Sequence, residues 1–111
     1  MRALELAQSG RPLSVLCLGA HSDDIEIGAG GAILTWIGTG ALLDIHWCVA
    51  TGAGARSDEA RASAEAFLKG ATTYTFSTGG FRDSYLPYDG AAVKAWVEAQ
   101  NRVTFAHLET I

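Results

Sequence analysis

Short apolar blocks alternate along the chain with stretches that mix apolar and polar residues. Leu13–Leu18 is a nearly continuous apolar run, which is typical of a strand buried on both faces. Leu42–Val49 is a second such run, broken by two polar residues, and Thr72–Phe76 is a third, rich in β-branched and aromatic residues. Arg102–Ala106 has a weaker pattern of the same kind. The chain is therefore predicted to contain four strands.

Between these strands, apolar residues recur at the three- and four-residue spacing of amphipathic helices. In the second helix Ser57 is the predicted N-cap and Gly70 the closing residue. Alternating strands and helices predict one Rossmann-like α/β domain over residues 1–111, with three layers and a parallel sheet. The three helical sets are Ala29, Ile33, Trp36 and Ile37; Ala60, Ala64, Phe67 and Leu68; and Ala92, Val93, Trp96 and Val97.

Composition narrows the class of protein. The net charge is −4 and there is no run of Lys or Arg, so neither nucleic acid nor an anionic membrane is an expected partner. Glu5 stands where a signal peptide would be apolar, and the longest uncharged stretch is too short to span a bilayer. We therefore expect a cytoplasmic protein without a membrane segment. Cys17 and Cys48 each lie within a strand-like run and are expected to be reduced core residues.

The candidate chemistry follows the first predicted strand. Ligands of parallel α/β sheets bind beyond the carboxyl ends of the strands, and the chain there reads His21-Ser-Asp23-Asp24. An imidazole and a carboxylate three residues apart can bind one divalent ion, and zinc suits such mixed ligands. In this interpretation His21 and Asp24 bind the metal and Asp23 accepts a proton from water. The alternative is that the aspartates only cap the following helix.

Residues 20–31 read Ala-His-Ser-Asp-Asp-Ile-Glu-Ile-Gly-Ala-Gly-Gly, which resembles the N-terminal signature of the LmbE-like, or PIG-L, deacetylase family. Members of that family remove acetyl groups from N-acetylglucosamine conjugates. The resemblance implies a hydrolase of a linear amide C–N bond that uses Zn²⁺, or another divalent metal such as Fe²⁺. It also implies a small N-acetylated sugar conjugate as substrate. The roles carried over match those above: His21 and Asp24 as ligands, Asp23 as general base. Ser22 replaces the usual proline and removes no ligand.

Two later motifs extend the resemblance over nearly the whole chain. Arg56-Ser-Asp-Glu59 is similar to the family's Arg-x-x-Glu, whose arginine contacts the substrate. Phe81-Arg-Asp-Ser84, with Leu86-Pro87, resembles the loop after the third strand, which implies that Asp83 contacts sugar hydroxyls.

The third zinc ligand of the family is a histidine that follows the fourth strand. Here His107 is a weak candidate. His46 is a weaker one, because it lies inside the second predicted strand and is expected to be a hydrogen-bonded core residue or one that faces a helix. Because family members are about twice as long, we expect this chain to be the N-terminal portion of a deacetylase domain, incomplete at its C-terminus. An unpaired edge beside the fourth strand would then favour self-association into a homo-oligomer.

Two alternatives to deacetylation stay open. One is an inactive or incomplete fragment that keeps the fold and part of the metal site. The other is a non-catalytic sugar- or nucleotide-binding Rossmann module. Gly28-x-Gly30-Gly31 does not have the spacing of the dinucleotide fingerprint, and the two carboxylates would repel a pyrophosphate.

Overall fold

A three-stranded parallel sheet forms the centre of the molecule. The computed structural model describes residues 12–105, and within them the strands lie in the order β1-β2-β3. Each predicted strand from the first three apolar runs is present, and the first two crossovers contain the predicted helices. The elements are β1 (Leu13–Gly19), α1 (Asp24–Gly38), β2 (Leu43–Thr51), α2 (Ala55–Leu68), β3 (Thr73–Phe81), a 3-10 turn (Asp83–Tyr85) and α3 (Gly90–Phe105).

Helices cover both faces of the sheet, as predicted for three layers. Side chains of β2 alternate between the faces. Trp47 points towards α1 and α2, where its ring lies 6.2 Å from that of Phe67. Cys48 points the other way, with its Sγ 3.9 Å from Oε1 of Gln100 on α3. The layout is thus α/β and compatible with a Rossmann-like fold.

The core lies between the sheet and the α1–α2 layer. Ile33, Ile45, Trp47, Ala64 and Leu68 are all fully buried there. Buried apolar area of this kind is the main source of stability in a domain of this size.

Gly30 sets how closely the two helices of that layer approach. A Cβ at Gly30 would lie 2.6 Å from Cε1 of Phe67, so only glycine allows α1 this close to α2. A hydrogen bond of 2.6 Å from Ser63 to Glu26 links the same two helices. Gly30 therefore serves helix packing.

Two predictions of local structure are wrong. Arg102–Phe105, predicted to begin a fourth strand, form the last turn of α3. Neither Gly nor Pro interrupts the chain between Ala91 and Phe105, so the helix continues through residues with β propensity. Helix α2 is capped by Gly54, whose φ of 58° and ψ of −128° suit glycine, and Ser57 lies inside its first turn.

The two cysteines are buried free thiols, as predicted. Burial raises the pKa of the Cys17 thiol to about 11 and that of the Cys48 thiol to about 12. Both are therefore protonated, unreactive core residues at neutral pH. Of the helices within residues 12–105, none combines the length and the apolar character needed to cross a bilayer.

Candidate functional site

A cleft of about 560 Å³ lies at the carboxyl ends of the strands, where ligands of parallel sheets are expected. Each strand contributes the loop that follows it. His21 and Ser22 come from the loop after β1, Gly52 and Arg56 from the segment after β2, and Asp83 from the segment after β3. Three residues singled out from the sequence, His21, Arg56 and Asp83, therefore line one cavity. We refer to it as the carboxyl-end cleft.

The position of His21 is fixed by a contact between the ends of two neighbouring strands. Ala20, the residue before it, accepts two hydrogen bonds at its carbonyl oxygen from Thr51. The backbone N–H donates over 3.0 Å and the Oγ1 hydroxyl over 2.7 Å. Thr51 is buried at the end of β2, so it ties the turn that carries His21 to the centre of the sheet.

Asp24 is close to His21, as its spacing predicted. Its Oδ2 accepts a hydrogen bond of 2.9 Å from the backbone N–H of His21 and lies 3.4 Å from the ring nitrogen Nδ1. Two ligands that bind a tetrahedral zinc ion at roughly 2.1 Å are themselves about 3.4 Å apart. The separation of Nδ1 and Oδ2 therefore fits two ligands of one such ion.

Asp83 contacts the other nitrogen of the same ring. Its Oδ1 forms a short hydrogen bond with Nε2 of His21. This hydrogen bond is the largest influence on the pKa of His21 and raises it. Desolvation lowers the pKa, but the charge of Asp83 and the hydrogen bond and charge of Asp24 also raise it, so the pKa lies above its usual value. The imidazole is thus held between two carboxylates, one on each ring nitrogen.

A β-bulge at the end of β3 brings the segment that contains Arg82 and Asp83 to the cleft. Val49 pairs with Thr78 but Thr51 pairs with Phe81, so β3 contains one more residue than β2 over this stretch. Gly80 has a φ of +68°, a conformation that glycine adopts readily. The bulge bends β3 before Arg82 and Asp83.

Asp23 has an unusual backbone. Its φ is 79° and its ψ is −21°, and it is the one non-glycine residue with positive φ in the part of the chain that the structure describes. It occupies the N-cap position of α1, yet its side chain forms no capping hydrogen bond with the described residues. The capping alternative is therefore wrong for Asp23.

The positive φ of Asp23 is a strained conformation, and strained conformations of this kind cluster at functional sites. Asp23 is not among the residues that line the carboxyl-end cleft.

No complete metal centre is formed by the described residues alone, because residues 12–105 contain no group of three His, Cys, Asp or Glu side chains that could hold an ion. Asp24 and Asp83 lie on different nitrogens of His21. His107, the candidate third ligand, lies outside the described residues.

His46 is buried in β2 with its Nε2 2.8 Å from Oγ of Ser77, which confirms the prediction of a hydrogen-bonded core residue.

Arg82 is a residue of the cleft that was not predicted from the sequence. Arg82 lines the carboxyl-end cleft, and its guanidinium carbon lies 5.5 Å from the ring centroid of Tyr85. Arg82 could have been predicted as a site residue because it is the sequence neighbour of Asp83, which was predicted to be one. The predicted third strand, however, ended at Phe76, whereas β3 continues to Phe81. The bulge in β3, and the point where the segment after β3 begins, were therefore not predicted.

Neither protein-family models nor curated proteins give a match to this chain. The resemblance to the LmbE-like family therefore rests on the residues of the three motifs, and any function must be inferred from the cleft itself.

Proposed function

We propose that this chain carries the site of a metal-dependent N-deacetylase of the LmbE-like type, with the carboxyl-end cleft binding an N-acetylated sugar conjugate. One observation carries the proposal. At the end of β1, His21 lies between Asp24 and Asp83, in the cleft that Arg56 also lines. An imidazole held in this way at the expected ligand-binding edge of a parallel sheet is suited to metal chemistry.

His21 and Asp24 are the residues that would hold the ion, Zn²⁺ or Fe²⁺, through Nδ1 and Oδ2. A bound divalent ion supplies Lewis acidity towards the amide carbonyl and towards water. Asp83 supports this assignment, since metal-binding histidines commonly donate their other ring N–H to a carboxylate. The third protein ligand is assigned to residues outside 12–105, with His107 as the candidate in this chain.

Asp23 is proposed as the general base and acid. Its carboxylate is adjacent in sequence to Asp24 and is not used to cap α1 within the described residues. It would accept the proton that the attacking water loses, and then donate it to the amide nitrogen as the C–N bond breaks. The second proton of the water follows to the same nitrogen, so the products are acetate and the ammonium form of the sugar amine, and atoms and charge balance.

Arg56 is proposed to contact the sugar conjugate from the first turn of α2. The predicted contact of Asp83 with sugar hydroxyls stays a prediction, and its contact with His21 adds a second role, that of orienting the imidazole. In this proposal the substrate lies across the cleft, from the β1 side, where the reaction occurs, to the β2–β3 side.

The experiment that tests this function has two stages. First, the zinc content of the purified chain is measured after dialysis, for the wild type, Asp24→Ala and the matched control Glu98→Ala. Glu98 is an exposed carboxylate on α3 that pairs with Lys94. We expect about one zinc per chain in the wild type and the control, and a large loss in Asp24→Ala.

Second, acetate release from N-acetylglucosamine glycosides is measured with the metal-loaded chain. Release that depends on added metal and on Asp24 supports the proposal. Equal zinc content in all three proteins would remove His21 and Asp24 from the metal site, and metal binding without acetate release would argue for the non-catalytic alternative.

A further inference from the structure

We propose that Arg56 and Arg82 together form an oxyanion-binding subsite on the β2–β3 side of the carboxyl-end cleft, for a carboxylate or phosphate on the sugar conjugate. This inference rests on the proposed function and specifies the class of conjugate: one whose group beyond the N-acetylated sugar is anionic. From the sequence, Arg56 was expected to contact the substrate, but no chemical group was specified. The inference adds Arg82 as its partner and a negative charge on the group that the pair binds.

The strand register brings the segments that carry the two arginines to neighbouring points of the sheet. Thr51 at the end of β2 pairs with Phe81 at the end of β3, and Arg82 is the next residue. Arg56 is in the first turn of α2, which begins shortly after Thr51. Since neighbouring strands lie about 4.8 Å apart, the segments that carry the two arginines leave the sheet edge at adjacent points. Both line the carboxyl-end cleft together with His21.

The charges on this side of the cleft are unbalanced. Neither guanidinium forms an ion pair within the described residues, whose ion pairs are His21–Asp24, His21–Asp83 and Lys94–Glu98. Asp83 is the single acidic residue among those that line the cleft, and its carboxylate contacts His21. Two arginines therefore line the cavity without an ion-paired carboxylate of their own among the described residues.

Arginine is the side chain best suited to carboxylate and phosphate, because its planar fork forms two parallel hydrogen bonds with either group. Tyr85 supports Arg82 in this role. Its ring lies under the guanidinium, which limits the directions that the long side chain can take. The N-acetyl group would then lie near His21 and the anionic group near Arg82.

The variants for the test are Arg82→Gln, Arg82→Lys and the control Arg61→Gln. Arg61 is a suitable control because it is also exposed and also lies over an aromatic ring, that of Phe76, but it does not line the carboxyl-end cleft. Substitutions at Arg82 rather than Arg56 are used because Arg56 already belongs to the proposed substrate site. Thermal melts check that all variants fold.

Two measurements are made on the full chain. The first is binding of inorganic phosphate to the metal-free protein, followed by titration calorimetry. The second is acetate release by the metal-loaded protein from three N-acetylglucosamine glycosides, whose aglycones are neutral, carboxylated or phosphorylated. We expect a preference of about tenfold or more in kcat/KM for an anionic glycoside. It should fall by about tenfold in Arg82→Gln, less in Arg82→Lys, and not in Arg61→Gln.

The outcomes separate this inference from the proposed function. Equal rates on neutral and anionic glycosides, or equal effects of Arg82→Gln and Arg61→Gln, would overturn the subsite and leave deacetylation intact. Phosphate binding that is lost only in the Arg82 variants, with no acetate release from any glycoside, would support the subsite and count against deacetylation. The ranking of the two anionic glycosides identifies whether the group is a carboxylate or a phosphate.

Discussion

The carboxylate of Asp83 contacts Nε2 of His21, although 62 residues separate them in sequence. The side chains are 67% and 47% exposed, respectively, and exposed ion pairs contribute little to stability. A contribution to the stability of the fold is therefore a poor explanation for this pair. Its position on one ring nitrogen, while Asp24 lies near the other, is better explained by a need to fix the orientation of the imidazole.

Replacement of Asp83 by Asn should weaken metal binding without unfolding the protein. Loss of a carboxylate that orients a metal-binding histidine typically lowers metal affinity by about 10- to 100-fold. Competition with a chromophoric chelator measures the dissociation constant for zinc in Asp83→Asn and in the control Glu98→Gln. Unchanged affinity in Asp83→Asn would limit Asp83 to substrate contacts.

Replacement of Asp23 by Asn should abolish turnover and spare metal binding. Asn cannot accept the proton, so we expect kcat to fall by about 10²- to 10⁴-fold. Asn tolerates a positive φ nearly as well as Asp, so stability should not change. Acetate release and zinc content are measured on the same preparation. Full activity in Asp23→Asn would show that another group is the base.

Asp23→Gly should give a more stable but inactive protein. Glycine adopts the φ of 79° without strain, and no capping hydrogen bond with the described residues is lost. We expect a gain of about 0.5–1 kcal/mol in the free energy of unfolding. Ser22→Gly is the control, because Ser22 is not among the residues with positive φ. No gain in Asp23→Gly relative to Ser22→Gly would mean that the backbone at Asp23 is unstrained.

Gly30→Ala should destabilise the protein although alanine is the better helix former. The added methyl group would lie 2.6 Å from the ring of Phe67, and overpacking of this kind costs about 1–3 kcal/mol. That outweighs a helix-propensity gain of about 1 kcal/mol.

Gly31→Ala is the matched control, since a Cβ there meets nothing within 4 Å and should raise stability by about 0.5–1 kcal/mol. Urea denaturation of both variants gives the comparison. If Gly30→Ala were also stabilising, α1 and α2 would have to be further apart than described.

The first three strands and their helices were predictable because each is encoded locally. An apolar run bounded by polar residues, followed by helical spacing, leaves little choice of element. The predicted fourth strand shows the limit of this logic. Val103, Thr104 and Phe105 favour a strand, but with no Gly or Pro after Gly90 the helix simply continues.

The residues that line the candidate site were largely predictable, but the contacts between them were predictable only where the residues are close in sequence. His21 and Asp24 are three residues apart, and their proximity follows from that spacing. The contact of Asp83 with His21 depends on the strand order and on the bulge at Gly80, neither of which local patterns specify. The close approach of Gly30 to Phe67 likewise depends on how two helices pack.

His46 should make the protein less stable in mild acid. Burial lowers its pKa in the folded state, and the charge of Asp44 offsets this only in part. In the unfolded chain the pKa is about 6.5, so as the pH falls below that value the unfolded state binds more protons than the folded state. The contribution of neutral His46 is therefore fully present above about pH 6.5 and is lost as the pH falls through the folded pKa.

Urea denaturation of the metal-free protein between about pH 5 and pH 7.5 tests this, with His46→Gln as the variant, because glutamine can still hydrogen-bond Ser77. The stability advantage of the wild type over His46→Gln should shrink as the pH falls. His21 acts in the opposite direction, since its raised pKa gives stability that is lost as the pH rises. Because both proteins retain His21, its effect cancels in the comparison. Parallel stability curves would show that His46 is protonated equally in the folded and unfolded states.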